Sequence, residues 1–206
     1  MKKLTHFNIA RLSIENISQP EKVTIDRIIY KWAFYLGTIL PDLSITQFLH
    51  PHYYEKSSDY VFQSLCRIEG KDVKNIVDAI RLGEMVHYLS DFCCFAHKDG
   101  CIGKISEHLN YERSIHKYLL ENYPILQQTI SKEMPTYERS VEILEQIKQK
   151  LVDYSEMAPC FERDIIKSVE ISSIVYSGIL QKQTITTSEA IQYQRCNQVM
   201  DRHLIC

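Results

Sequence analysis

No stretch of this sequence approaches the ~18 consecutive apolar residues that a membrane-spanning helix requires. The best runs, Trp32 to Leu40 and Ile171 to Leu180, are short or interrupted. The N-terminal MKKLTHFNIARL carries two lysines but breaks into Thr5, His6, Asn8 and Arg11 before any apolar core forms, so it does not read as a secretory signal. A soluble, cytoplasmic protein is the expectation. An excess of one charge sign is missing too, since 24 Lys and Arg stand against 26 Asp and Glu, a net of −2. Without a dense basic run, stable nucleic-acid binding is not expected and partners must be argued from a site. Also missing is any CxxC pair. Cys66, Cys93, Cys94, Cys101, Cys160, Cys196 and Cys206 are odd in number, which fits neither a disulfide framework nor a thiolate zinc site. They read as buried or free thiols in a reducing compartment.

Glycine and proline are scarce, six of each in 206 residues, and most sit at breaks between segments of helical length. Lys22 to Ile39 and Val73 to Phe92 carry apolar residues at the three-and-four spacing of an amphipathic helix. Further helices are expected at 4–18, 58–68, 105–122, 136–155, 160–181 and 187–203, with Thr187 or Ser188 capping the last. Alternating strand patterns are scarce and βαβ spacing is absent. The fold class is all-α, an irregular multi-helix bundle, built as one domain over 1–206. The 124–135 stretch, with its two prolines, is the one plausible internal boundary. Nothing specifies an oligomer.

What the chain does have is histidine, with six of its eight between His50 and His116. In HYLSDFCCFAH, His87 and Asp91 lie one helical turn apart and can bite one metal ion, and His97 follows. A surface ion pair, worth a few tenths of a kcal/mol, competes as an explanation for that spacing alone. In SEHLNYERSIH, His108 and Glu112 repeat the spacing on a second helix. Two such pairs on neighbouring helices, with His97 in the loop between, favour metal held inside a bundle. LPDLSITQFLHPHYYE adds Asp42 and His52, which supply what His87 and Asp91 lack of the usual three to four zinc ligands. His6, at the start of the first helix, reads by itself as a surface residue or a neighbour of the helix cap.

In order along the chain, THFNIARLSIENI, Asp42, HYYE, HYLSDFCCFAH and HLNYE resemble the zinc-dependent phospholipase C family, which is related to the single-strand-specific zinc nucleases. The resemblance covers about residues 1 to 120, and the last third is similar only in being helical. It implies up to three zinc ions in a cleft of an all-α fold. Asp42, His52, His87 and Asp91 would hold the first, and His97, His108 and Glu112 the second. His6 and a shared Asp91 would hold the third, completed in the family by an N-terminal tryptophan exposed by signal removal. Here residue 1 is Met, so the amine of Met1 is the expected terminal ligand of a weaker third site. His52 is preferred to His50 because HYYE, unlike HPHY, matches the family pattern. His116 has no family counterpart and is read as lying beside the metals or on the surface, and His203 as surface.

The function implied is phosphodiester hydrolysis of phospholipase C type. A phospholipid would be cut to diacylglycerol and a phosphorylated head group, with transient contact with a membrane surface. Clustered zinc suits this chemistry because it neutralises phosphoryl oxygens and acidifies water toward a pKa of ~7. Asp42 is the candidate catalytic base, and Tyr53, Tyr54 and Phe92 are candidates to line the cleft. Two rivals stand beside this reading. One is a single-strand nuclease, disfavoured by Glu112 where that branch tends to carry Asp. The other is a zinc-binding helical protein without turnover.

Overall fold

The structure, a computed structural model, describes residues 1–15, 25–44, 49–69, 75–98, 105–133 and 143–176. These residues form eight α-helices with no strand among them. They are α1 (Lys3–Glu15), α2 (Ile25–Gly37), α3 (Tyr54–Glu69), α4 (Ile76–Phe92), α5 (Ile105–Glu121), α6 (Tyr123–Glu133), α7 (Ile143–Ser155) and α8 (Phe161–Val175). Two 3-10 turns, Leu40–Leu43 and Phe95–His97, follow α2 and α4. The all-α expectation is borne out. The helix expected over 187–203, Cys101, Cys196, Cys206 and His203 lie outside the described residues. No helix among the described residues is long and apolar enough to cross a membrane.

Helix α4 is the axis of the molecule and packs against α2, α3 and α8, while α8 also meets α1, α5 and α7. Its start is fixed by Asn75, whose side chain accepts the N–H of Asp78 at 3.0 Å. That cap satisfies one of the donors a first helical turn leaves open, so the helix begins at Ile76 rather than Val73. From Leu82 to Phe92 only Glu84 escapes burial. Such a segment must receive neighbours on every side, and two glycines allow the closest approach. A Cβ on Gly83 would stand 2.2 Å from the carbonyl oxygen of Phe34, and one on Gly37 would stand 2.0 Å from that of Ile80. Only glycine fits where α2 and α4 cross backbone to backbone.

Apolar side chains collect into two clusters. One joins α1, α2, α3, α4, α7 and α8 around Phe34, Leu65, Tyr88, Leu89 and Ile174, and Phe92 belongs to it. The other joins α1, α5, α6 and α8 around Ile9, Leu12, Ile115, Leu119 and Val169. Between them runs a seam lined by Thr5, His6, His87, Asp91 and His97, all buried and all polar. The 124–135 stretch proves largely helical. Pro124 stands at the second position of α6, where a missing N–H costs nothing, so this proline starts a helix rather than interrupting one.

Candidate metal centre

The seam gathers donors from five elements. His6 comes from α1, Asp42 from the first 3-10 turn, His52 from the segment before α3, His87 and Asp91 from α4, and His97 from the second 3-10 turn; α5 adds His108 and Glu112 at the rim. His87 and Asp91 share a face because they are one turn apart. The tautomer of His87 is set from behind, by Nδ1 donating to the carbonyl of Thr38 at 3.0 Å, which leaves Nε2 as an acceptor aimed into the seam. Thr38 stands directly after Gly37, so the glycine crossing is what brings that carbonyl within reach.

Around Nε2 of His87 lie Asp91 Oδ2 at 3.3 Å, His52 Nδ1 at 3.5 Å and Asp42 Oδ1 at 3.7 Å. His52 Nδ1 is 2.9 Å from Asp91 Oδ2 and 3.9 Å from Asp42 Oδ1. Tetrahedral zinc with bonds of about 2.0–2.2 Å sets its donors about 3.3–3.6 Å apart, a spacing these five separations straddle. Glu112 Oε1 forms a second group, 3.1 Å from His108 Nε2 and 3.2 Å from His97 Nε2. Three donors rather than four leave such a group a coordination position for substrate. Asp91 Oδ1 centres a third group, 3.3 Å from His6 Nε2 and 2.5 Å from the Met1 amine. That amine is also 2.8 Å from His97 Nε2 and 3.1 Å from Glu112 Oε1.

This arrangement suits protein hydrogen bonding poorly. Both ring nitrogens of His6, His52 Nε2 and His97 Nδ1 are buried without an aligned hydrogen-bond partner. Each such group costs about 1–3 kcal/mol. Lone pairs crowded together and left unsatisfied are what a cation would satisfy. The His6 and His87 rings stack at 3.8 Å, which suits neutral imidazoles and neutral ligands alike.

Charge in the seam follows the same logic. Burial, helped by His87, drives His6 well below the usual histidine range, and burial takes His97 down to about 4. His52 moves the other way, because Asp91 and Asp42 outweigh its burial. Burial also opposes the charge of the Met1 amine, yet Asp91 and Glu112 push it up to about 11. Asp91 resists its own burial and stays well below the carboxylate range, held by His97, the amine, His6 and His87. Glu112 is likewise held down by His108 and His97 against burial, whereas burial raises Asp42.

A zinc-dependent phospholipase C family model matches residues 5–172. The chain belongs to the zinc-dependent phospholipase C family. No curated protein and no solved structure matches it. Membership extends past the first 120 residues and takes in α7 and nearly all of α8, where the sequence resemblance had rested on helical character alone. Every residue singled out as a ligand of this zinc-dependent family stands in the seam or at its rim. Four sets place one donor atom from each member within 4.8 Å of the others: His6, His87, Asp91; Asp42, His52, His87; His52, Asp91, His97; and His97, His108, Glu112.

His50 is elsewhere, its ring stacked on Tyr60 at 3.7 Å. His116 accepts or donates one bond, at 2.9 Å to Thr5 Oγ1, which fastens α1 to α5 beside His6. Tyr53 lies 5.9 Å from the His97 ring, while Tyr54 leans its edge on Phe92 at 5.4 Å. Three contributors were not singled out in the sequence: Gly83, the carbonyl of Thr38 and Asp164. Asp164 had a signal, because it shares a helix face with Ser168, Ile171 and Ser172, all buried, and a lone carboxylate on such a face needs partners.

Proposed function

We propose that the protein is a phosphodiester hydrolase of phospholipase C type, holding up to three zinc ions and cutting a phospholipid to diacylglycerol and a phosphorylated head group. The observation that carries the reading is Asp91, whose two oxygens face two different donor groups, His52 and His87 on one side and His6, His97 and the Met1 amine on the other. A carboxylate bridging adjacent ions suits a centre that clamps one phosphoryl group from two sides. Asp42, His52, His87 and Asp91 would hold the first ion. His97, His108 and Glu112 would hold the second, and His6, Asp91 and the Met1 amine the third. Zinc there supplies Lewis acidity, neutralising phosphoryl charge and making water acidic enough to attack near neutral pH.

The chain's own residues divide the remaining work. Asp91 and Glu112 are engaged with histidine and amine, whereas the nearest partners of Asp42 stand at 3.7 and 3.9 Å. Asp42 therefore keeps lone pairs to take a proton from attacking water and pass it toward the departing glycerol oxygen. Buried Tyr88 and Phe92 behind the seam keep bulk water from the ligands. Leu43, beside Asp42, and Leu49, three residues before His52, are exposed apolar side chains close in sequence to two of these donors, the kind of residue that would touch a lipid surface.

The test offers zinc-loaded protein a choline phospholipid, single-stranded DNA and a small chromogenic phosphodiester. Hydrolysis of the phospholipid, abolished by a chelator and restored by zinc, is the expected result. Cleavage of DNA alone would move the assignment to the nuclease branch. Silence toward all three at full zinc occupancy would leave a zinc-binding protein without turnover.

A further inference from the structure

The carboxylate of Asp164 is wholly buried in α8, a helix with no candidate ligand. Its Oδ2 accepts the backbone N–H of Phe95 at 3.0 Å and the hydroxyl of Tyr111 at 2.8 Å, and its Oδ1 accepts the hydroxyl of Tyr154 at 2.8 Å. Phe95 opens the 3-10 turn that ends in His97, and its N–H is one of the donors that the start of a helical turn leaves without an internal partner. Tyr111 sits on α5 directly before Glu112 and three residues after His108. One carboxylate thus grips, through a single oxygen, both elements that present the His97, His108 and Glu112 group. The rings of Phe95 and Tyr111 meet at 5.5 Å, and Tyr111 rests on Phe161 at 4.9 Å, so the junction is packed as well as bonded.

Holding α8 in place does not require a buried carboxylate, since an apolar side chain would fill the space without the cost of desolvating a charge. The carboxylate makes sense where two separate elements must be kept in fixed register. We propose that Asp164 is a positioning residue that sets the separation of His97 from His108 and Glu112, and with it the zinc affinity of that group. The inference rests on reading the group as a zinc site.

Zinc retention against a series of chelators, with far-UV circular dichroism as the check of folding, tests it. Asp164→Ala should weaken one class of zinc on the order of 10–100-fold, the range for a residue that orients a ligand, and leave the others unchanged. Asp164→Asn should restore most of that loss, because its amide oxygen can keep Phe95 and Tyr111 while its NH2 donates to the Tyr154 oxygen. Tyr111→Phe should weaken the same class by less, and Tyr154→Phe, on the other oxygen, should leave it unchanged. In a His108→Ala background Asp164→Ala should add nothing, whereas in a His52→Ala background its loss should add. Folded Asp164→Ala with wild-type zinc affinity, or with every class weakened alike, overturns the proposal. If Asp164→Ala does not fold, Tyr111→Phe decides, and unchanged affinity there overturns it. A wild-type protein that binds no zinc overturns the metal-site reading and this proposal together, an outcome distinct from wild-type binding that Asp164 does not influence.

Discussion

Among single residues, Asp91 has the most to lose. Its oxygens meet four imidazoles, of His6, His52, His87 and His97, and the Met1 amine at 2.5 to 3.3 Å. Asn in its place keeps the volume but surrenders the charge and turns one acceptor into a donor facing histidines. Asp91→Asn is therefore expected to lower zinc content further than His6→Ala or His97→Ala, because two donor groups lose a member instead of one. Metal analysis after dialysis against a weak chelator checks this, and an Asp91→Asn protein retaining wild-type zinc would refute the bridging role. The sequence made the residue findable, since a carboxylate four positions after a histidine shares its face. It could not show that the two oxygens turn opposite ways, because that depends on α1 and the 3-10 turn arriving from distant parts of the chain.

Helix pairs set the aim of these side chains. The α2 and α4 crossing leaves no room for a methyl group at Gly83, where the obstacle is the backbone oxygen of Phe34 rather than a side chain that could rotate away. Gly83→Ala gains up to ~1 kcal/mol of helix propensity, which the overpacking cost of about 1–3 kcal/mol or more should exceed. A lower thermal midpoint and weaker zinc binding are expected together, because Thr38 moves away from His87 as the helices part. A midpoint equal to or above wild type would show that the contact is not tight. Gly83 escaped notice in the sequence because a lone glycine inside a helical pattern signals no partner. Pro124 marked the break after α5 correctly but gave no sign that α6 opens directly at it. Helix α3 began at Tyr54, ahead of the expected residue 58, with Glu55 in its first turn, where a negative charge suits the helix dipole.

Across the whole molecule, the seam makes stability depend on pH once zinc is removed. His6 and His97 are held below 6.5 in the folded state, His97 at about 4. Between pH 6.5 and 4 the unfolded chain therefore binds protons that the folded chain refuses, and stability falls as the solution is acidified. Asp42, Glu84 and Asp164, raised by burial, work against this trend only between their ordinary values of 3.8 and 4.5 and their own titration points, while Asp91 and Glu112, held down, add to the loss at the acid end. His52 and the Met1 amine, both raised, contribute stability that is complete below their unfolded values and lost as the pH climbs through their folded ones, the amine at about 11. Chelator-treated protein should thus melt highest between about pH 6.5 and 8, with a clear drop by pH 5. A flat profile from 7 to 5 would contradict the buried neutral histidines. How zinc reshapes that curve follows from the same groups, since ligands held for metal no longer compete for protons.

The all-helical class, the order of most elements and the His87–Asp91 and His108–Glu112 pairs were legible in residue spacing, whereas His6, which by its position alone reads as a surface residue, is buried in the seam and joined the donors only through the family resemblance. The pairing of α1 with α5 and α8 was not, because no local pattern reports on neighbours so far along the chain. Thr5 bonds His116 across 111 residues, and Ser173 donates to the carbonyl of Ser13 across 160. At the usual synthesis rate of ~5–20 residues per second, α1 emerges roughly 5–20 s before the partner of Thr5 exists. During that interval α1 has α2 and α4 to pack against but not α5 or α8, so a helix made early waits for the greater part of its contacts.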